Sequence, residues 1–67
     1  MSYTIRVGFD EESHRYFVIH ADIPGLNIET DTFEEFVKVA QDVAPDLLQP
    51  IREDLTIRFE REIILAA

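Results

Sequence analysis

Between Asp22 and Glu35 the chain turns, runs briefly extended and enters a capped helix, and that order constrains everything around it. Asp22-Ile23-Pro24-Gly25-Leu26 ends a strand. Pro24 fixes its own φ and removes a donor, while Gly25 permits positive φ. Leu26-Asn27-Ile28-Glu29-Thr30 alternates apolar and polar, as a short half-buried strand does. Asp31-Thr32-Phe33-Glu34-Glu35 then starts a helix. Thr32 is placed to cap the free amides, and Glu35 to reach back to the N–H of the cap. The segment is architecture, and no catalytic chemistry follows from it.

The flanks fit this order. Tyr3, Ile5, Val7 and Phe9 alternate with Thr4, Arg6 and Gly8, a period-two strand with one core face. Asp10, Glu11, Glu12, Ser13, His14 and Arg15 make a polar hairpin loop. The second strand, residues 16–20, is apolar on both faces, with Phe17 and Ile19 on one and Tyr16 and Val18 on the other. Such a strand wants cover on both sides. Phe33, Phe36, Val37, Ala40, Val43, Ala44, Leu47 and Leu48 follow the helical i, i+3, i+4, i+7 spacing. Pro45 cannot continue the ladder unbroken, so the spacing predicts a helix over 33–43, a kink or fresh turn at Pro45, and an end at Pro50. Leu55, Ile57 and Phe59 alternate with Thr56, Arg58, Glu60 and Glu62 in a fourth strand. The apolar residues 63–65 are expected to pair in the sheet or bury against something else.

The elements read β-β-β-α-β, an α+β fold. A right-handed crossover through the helix puts the fourth strand beside the first and parallel to it. The sheet is then mostly antiparallel, ordered 3-2-1-4, with the helix on one face and no element left for the other. At 67 residues the chain makes a single domain, 1–67, with one small core. A chain this size buries only about 60% of its unfolded surface. With no cysteine, disulfides and thiolate metal sites are excluded as support, which leaves oligomerisation as the general route. The net charge of −8 repels phosphates and favours basic partners, so direct nucleic-acid binding is disfavoured. No apolar run approaches the roughly eighteen residues of a membrane span, and no secretory signal is visible. A cytoplasmic protein is expected.

An aromatic-rich hairpin, a D-x-P-G turn, a short strand and a D-T-x-E-E helix start, in that order, resemble the HicB family of bacterial antitoxins. The likeness covers residues 5–48 and is strongest to the short HicB-like proteins of unassigned function. The resemblance implies a truncated relative of the ribonuclease H fold. It also implies a protein that neutralises a small basic toxin, itself a messenger-RNA-cleaving protein, by direct contact.

A fold of that kind calls for a check of the carboxylates. Two-metal phosphodiester chemistry needs about three or four acids around ions roughly 4 Å apart. Asp10 ends the first strand, Glu60 lies late in the fourth, and Glu34, Glu35 and Asp42 ride the polar face of the helix, so convergence is poor. His14 sits in a polar loop and His20 abuts the turn, with no second ligand at a metal-like spacing. With two glycines in the chain, no phosphate-cradling motif exists.

The expectation is therefore a non-enzymatic binding module with no cofactor and no metal. The open sheet face is expected to carry Thr4, Arg6, Tyr16, Val18, Thr56 and Arg58, an apolar and arginine mixture matching interface cores. It would form a homodimer or receive a partner. On the antitoxin model, Asp10, Glu11, Glu12 and Glu34 are the first candidates for contact with a basic toxin, in an association steered by charge. The alternative is an acidic homodimeric scaffold of unknown partner, and a metal-dependent hydrolase is the third reading.

Overall fold

The computed structural model describes residues 2–49 and 54–64, the last two as backbone alone. Strand β1 (Ser2–Asp10) turns into β2 (Arg15–Ala21), followed by the two-residue β3 (Glu29–Thr30), helix α1 (Phe33–Leu47) and β4 (Thr56–Ile64). They form one four-stranded sheet ordered β3-β2-β1-β4. β1 runs antiparallel to β2 and β2 to β3, while β4 lies parallel to β1 from Ser2 opposite Thr56 to Asp10 opposite Ile64. The predicted α+β topology and strand order are those of the molecule.

One side of the sheet makes the core. Ile5 and Val7 from β1 meet Phe36, Ala40 and Ala44, one buried row along α1, with Ile23, Leu26 and Ile28 closing the end. The alanines keep the helix low on the sheet, and Phe36, fully buried, is the largest side chain inside. Thr32 caps α1 as expected: its backbone is extended and its Oγ1 accepts from the Glu35 N–H at 3.1 Å. Thr30, buried just before it, donates its hydroxyl to the Thr32 carbonyl at 2.7 Å.

The D-x-P-G turn is tied to the sheet at both ends of its aspartate. The Asp22 N–H donates to the Thr4 carbonyl, and Asp22 Oδ2 accepts from the Thr4 N–H, each at 3.1 Å. Ile23 is then inserted into the core, and Gly25 takes a φ of +78° that few side-chain-bearing residues adopt.

Three expectations are corrected. The third strand pairs only at Glu29 and Thr30, because Leu26 and Ile28 turn inward to the core as extended but unladdered chain. The helix does not break at Pro45 but runs on to Leu47. Proline there removes one bond, to the carbonyl of the exposed Gln41, which water can satisfy. The buried Ala44 and half-buried Leu48 hold the last turn down, and the Leu48 N–H closes it on the Ala44 carbonyl at 3.0 Å. The faces of β2 are also exchanged: Tyr16 and Val18 pack against the core on the helix side. The expected helix end at Pro50, and Leu65 of the apolar 63–65 stretch, lie outside the described residues, while the backbone of Ile63 and Ile64 extends β4 beside Phe9 and Asp10.

Candidate interaction surface

The helix-free face of the sheet is built around Gly8. Opposite β1, the β2 register slips by one residue: Arg6 pairs with His20, yet Val7 pairs with Val18, which leaves Ile19 as a bulge. Tyr16, Val18 and Ala21 therefore share the helix side with Val7 and Ile5, and all three pack against the core. Phe17 and Ile19 instead fold over Gly8 on the open side. A Cβ on Gly8 would sit 2.8 Å from both Ile19 Cδ1 and Phe17 Cζ. Only glycine leaves room for that pair.

Tyr16 and Val18 are thus misplaced by the sequence reading. Their side chains belong to the helix side, and among the described residues the large apolar side chains of the open face are Phe17 and Ile19. Arg6 and Arg58 do lie on the open face, two residues apart in register: Arg6 stands opposite Glu60, and Arg58 opposite Thr4. Arg6 Nε lies 3.4 Å from the Glu62 carboxylate, with both groups about half exposed, so the pair adds little stability.

The carboxylates collect at one end. Asp10 starts the hairpin loop, where its Oδ1 accepts from the Glu12 N–H at 2.9 Å and its carbonyl from the His14 N–H at 2.8 Å. This Asx turn shapes the loop, and His14 completes it with a φ of +58°. Glu11 and Glu12 are exposed at its tip, and Glu34 is exposed in the first turn of α1, where the helix dipole favours acids. A chain of rings brings the two segments together. Phe9 lies 4.9 Å from Tyr16 and Tyr16 5.8 Å from Phe33, which opens the helix. Arg15 braces the same end: its Nε is 2.7 Å from Glu29, and its Nη1 is 3.0 Å from Asp31. A depression of about 330 Å³ adjoins it, lined by residues including Asp10, Phe17 and Asn27, but the guanidinium there is already engaged by two carboxylates.

Arg61 escaped the sequence reading. It lies over the Phe33 ring at 4.3 Å and the Tyr16 ring at 5.6 Å, and it donates to the Tyr16 hydroxyl at 3.3 Å. Its place was readable from alternation, since Ile57, Phe59 and Arg61 share one face of β4. Among the described residues no three His, Asp or Glu side chains are grouped as a metal site requires. His20 Nε2 lies 3.9 Å from Asp22, whereas His14 stands at the far end of β2 against Phe9, so the two histidines do not converge. No helix among the described residues is long and apolar enough to cross a membrane.

Compared with known proteins, the chain resembles in fold a hypothetical protein from the extremely thermophilic bacterium Thermus thermophilus. That crystal structure superposes with a TM-score of 0.82 at 22% identity, over 100% of both chains. At that identity the likeness speaks for the fold alone. No curated protein matches the chain. A family described as a domain of unknown function matches residues 2–65, and the chain belongs to it: the DUF1902 family.

Proposed function

We propose that the protein is a non-enzymatic binding module that engages a small basic partner through the acidic end formed by the hairpin tip and the start of α1, as a HicB-like antitoxin engages its toxin. One observation carries the reading. Glu11 and Glu12 at the hairpin tip and Glu34 in the first turn of α1 are each exposed, on two segments joined by the half-buried rings of Phe9, Tyr16 and Phe33, in a chain of net charge −8. Exposed carboxylates suit a cationic protein surface and give charge-steered association that weakens with salt. The turn-to-cap likeness to HicB proteins supports the same reading and names the partner class, a basic RNA-cleaving toxin.

The test begins with a tagged pull-down from the native host at low and at high salt. A small basic protein, released at high salt, must cleave messenger RNA when purified alone and must be inhibited by this chain. Reversing Glu11, Glu12 and Glu34 to lysine should abolish that inhibition while the fold persists. Inhibition that survives the reversal would sink the acidic-end reading. Recovery of nothing but the protein itself would favour the second reading, an acidic homodimeric scaffold, which the sheet face left uncovered by the described residues supports.

A further inference from the structure

β4 is an edge strand. It pairs with β1 along one side, and among the described residues nothing pairs with the other. Its outward sequence, Thr56-Ile57-Arg58-Phe59-Glu60-Arg61-Glu62, carries alternating charges of the kind that discourage indiscriminate strand pairing. In one register those same charges become self-complementary. Two copies joined edge to edge, antiparallel, are related by a two-fold axis normal to the sheet. Opposed residues must then lie on the same face, so the axis passes through a residue and not between two. An axis through Arg58 opposes two arginines, one through Glu60 opposes two glutamates, and one through Arg61 sets Glu60 against Glu62 twice. An axis through Ile57 sets Asp54 against Glu60. An axis through Phe59 opposes Arg58 to Glu60 twice, Thr56 to Glu62 twice and Phe59 to itself, with no like charges facing on the open side. Directly opposed opposite charges and aromatic pairs stabilise antiparallel strands, and like charges oppose them.

We propose that the protein dimerises through β4, in antiparallel register about Phe59, to give a continuous eight-stranded sheet with both helices on one face. This gives the homodimer an interface and rests on none of the toxin chemistry, so its failure leaves the pull-down result standing. The outer edge of β4 acquires backbone partners, and the Arg58–Glu60 pairs select the register.

Sedimentation equilibrium on the full chain tests it, with circular dichroism confirming the fold of each variant. The parent is expected to be dimeric. Glu60→Arg or Arg58→Glu each places like charges opposite one another at both symmetric positions and should raise the dimer dissociation constant about tenfold or more. The charge swap Arg58→Glu with Glu60→Arg restores opposition and should restore the dimer. A second measurement serves if a charge variant misfolds. The chain has no cysteine, so Thr56→Cys with Glu62→Cys introduces the only thiols. They lie about 20 Å apart within one strand and face each other only across the proposed dimer. Mild oxidation should give a covalent dimer. A monomeric parent, single variants that remain dimeric, a swap that fails to restore, or thiols that do not cross-link would each overturn the proposal.

Discussion

Adding one methyl group to Gly8 tests the open face most directly. The new Cβ would stand 2.8 Å from Ile19 Cδ1 and Phe17 Cζ and 2.9 Å from Ile19 Cγ1, where carbon atoms prefer about 3.5–4.0 Å. Both side chains must retreat by most of an ångström. Ile19 can, since it is 37% exposed and its contact is made near the end of the chain. Phe17 can move only as a rigid ring. Overpacking of this kind costs about 1–3 kcal/mol. Replacing a glycine returns about 0.4–1 kcal/mol by restricting the unfolded chain. The balance for Gly8→Ala is a loss of roughly 1–2 kcal/mol, a large share of the few kcal/mol expected for so small a domain. Urea unfolding followed by circular dichroism would read it as a lower midpoint at unchanged slope. Ile19→Ala removes two of the three colliding atoms, so the double variant should be less destabilised than the sum of the singles, by about 0.5–1 kcal/mol. A Gly8→Ala protein as stable as the parent, or a strictly additive cycle, would refute the packing of Phe17 and Ile19 over Gly8.

Phe36→Ala empties the centre of the core and should cost about 3–5 kcal/mol, enough to leave the chain mostly unfolded by circular dichroism at room temperature. Thr32→Ala removes the cap oxygen from the Glu35 N–H and should cost about 1 kcal/mol in thermal or urea unfolding, whereas Thr32→Ser should cost little. His14 holds a left-handed backbone, so His14→Gly should raise stability by about 0.5–1 kcal/mol, less whatever its ring contact with Phe9 contributes. A drop on that substitution would mean the ring contact outweighs the backbone strain.

Topology was legible in the sequence because few arrangements satisfy it. A tight hairpin, a D-x-P-G turn and a single crossover helix leave one short path back to the free edge of β1. The faces of β2 were not legible, and the reason is local. Tyr16, Phe17, Val18 and Ile19 are all apolar, so alternation separates two sets without saying which meets the helix. The bulge at Ile19 has no signature in residue type, and it surfaces only when Gly8 is recognised as the floor beneath it. Arg61 was hidden for the opposite reason. A charged residue in an apolar row reads as an interruption, yet its guanidinium covers Phe33 and Tyr16 as an apolar residue would, with its charge kept at the rim. The acidic residues 10, 11, 12 and 34 are far apart in sequence, and only the packing of the Phe9, Tyr16 and Phe33 rings sets the helix start at the hairpin end of the sheet.

The proposed edge pairing and the proposed acidic end constrain each other. β4 runs parallel to β1, so Asp10 stands beside Ile64, five residues beyond Phe59. At about 3.3 Å per residue the hairpin end lies roughly 16 Å from the dimer axis along the strands. An antiparallel partner places its own acidic end the same distance the other way. The two ends would then be separated by about 33 Å in the strand direction, facing outward, with neither covered by the shared edge. A dimer built this way takes two partners at once, and partner binding leaves the β4–β4 equilibrium unchanged. Sedimentation of the parent with a basic partner should therefore show two partners per dimer. The Glu60→Arg monomer should still bind one, with the affinity per site preserved. A monomer that loses the partner altogether would mean that the contact surface spans both copies, and the acidic end of a single chain could not be the site.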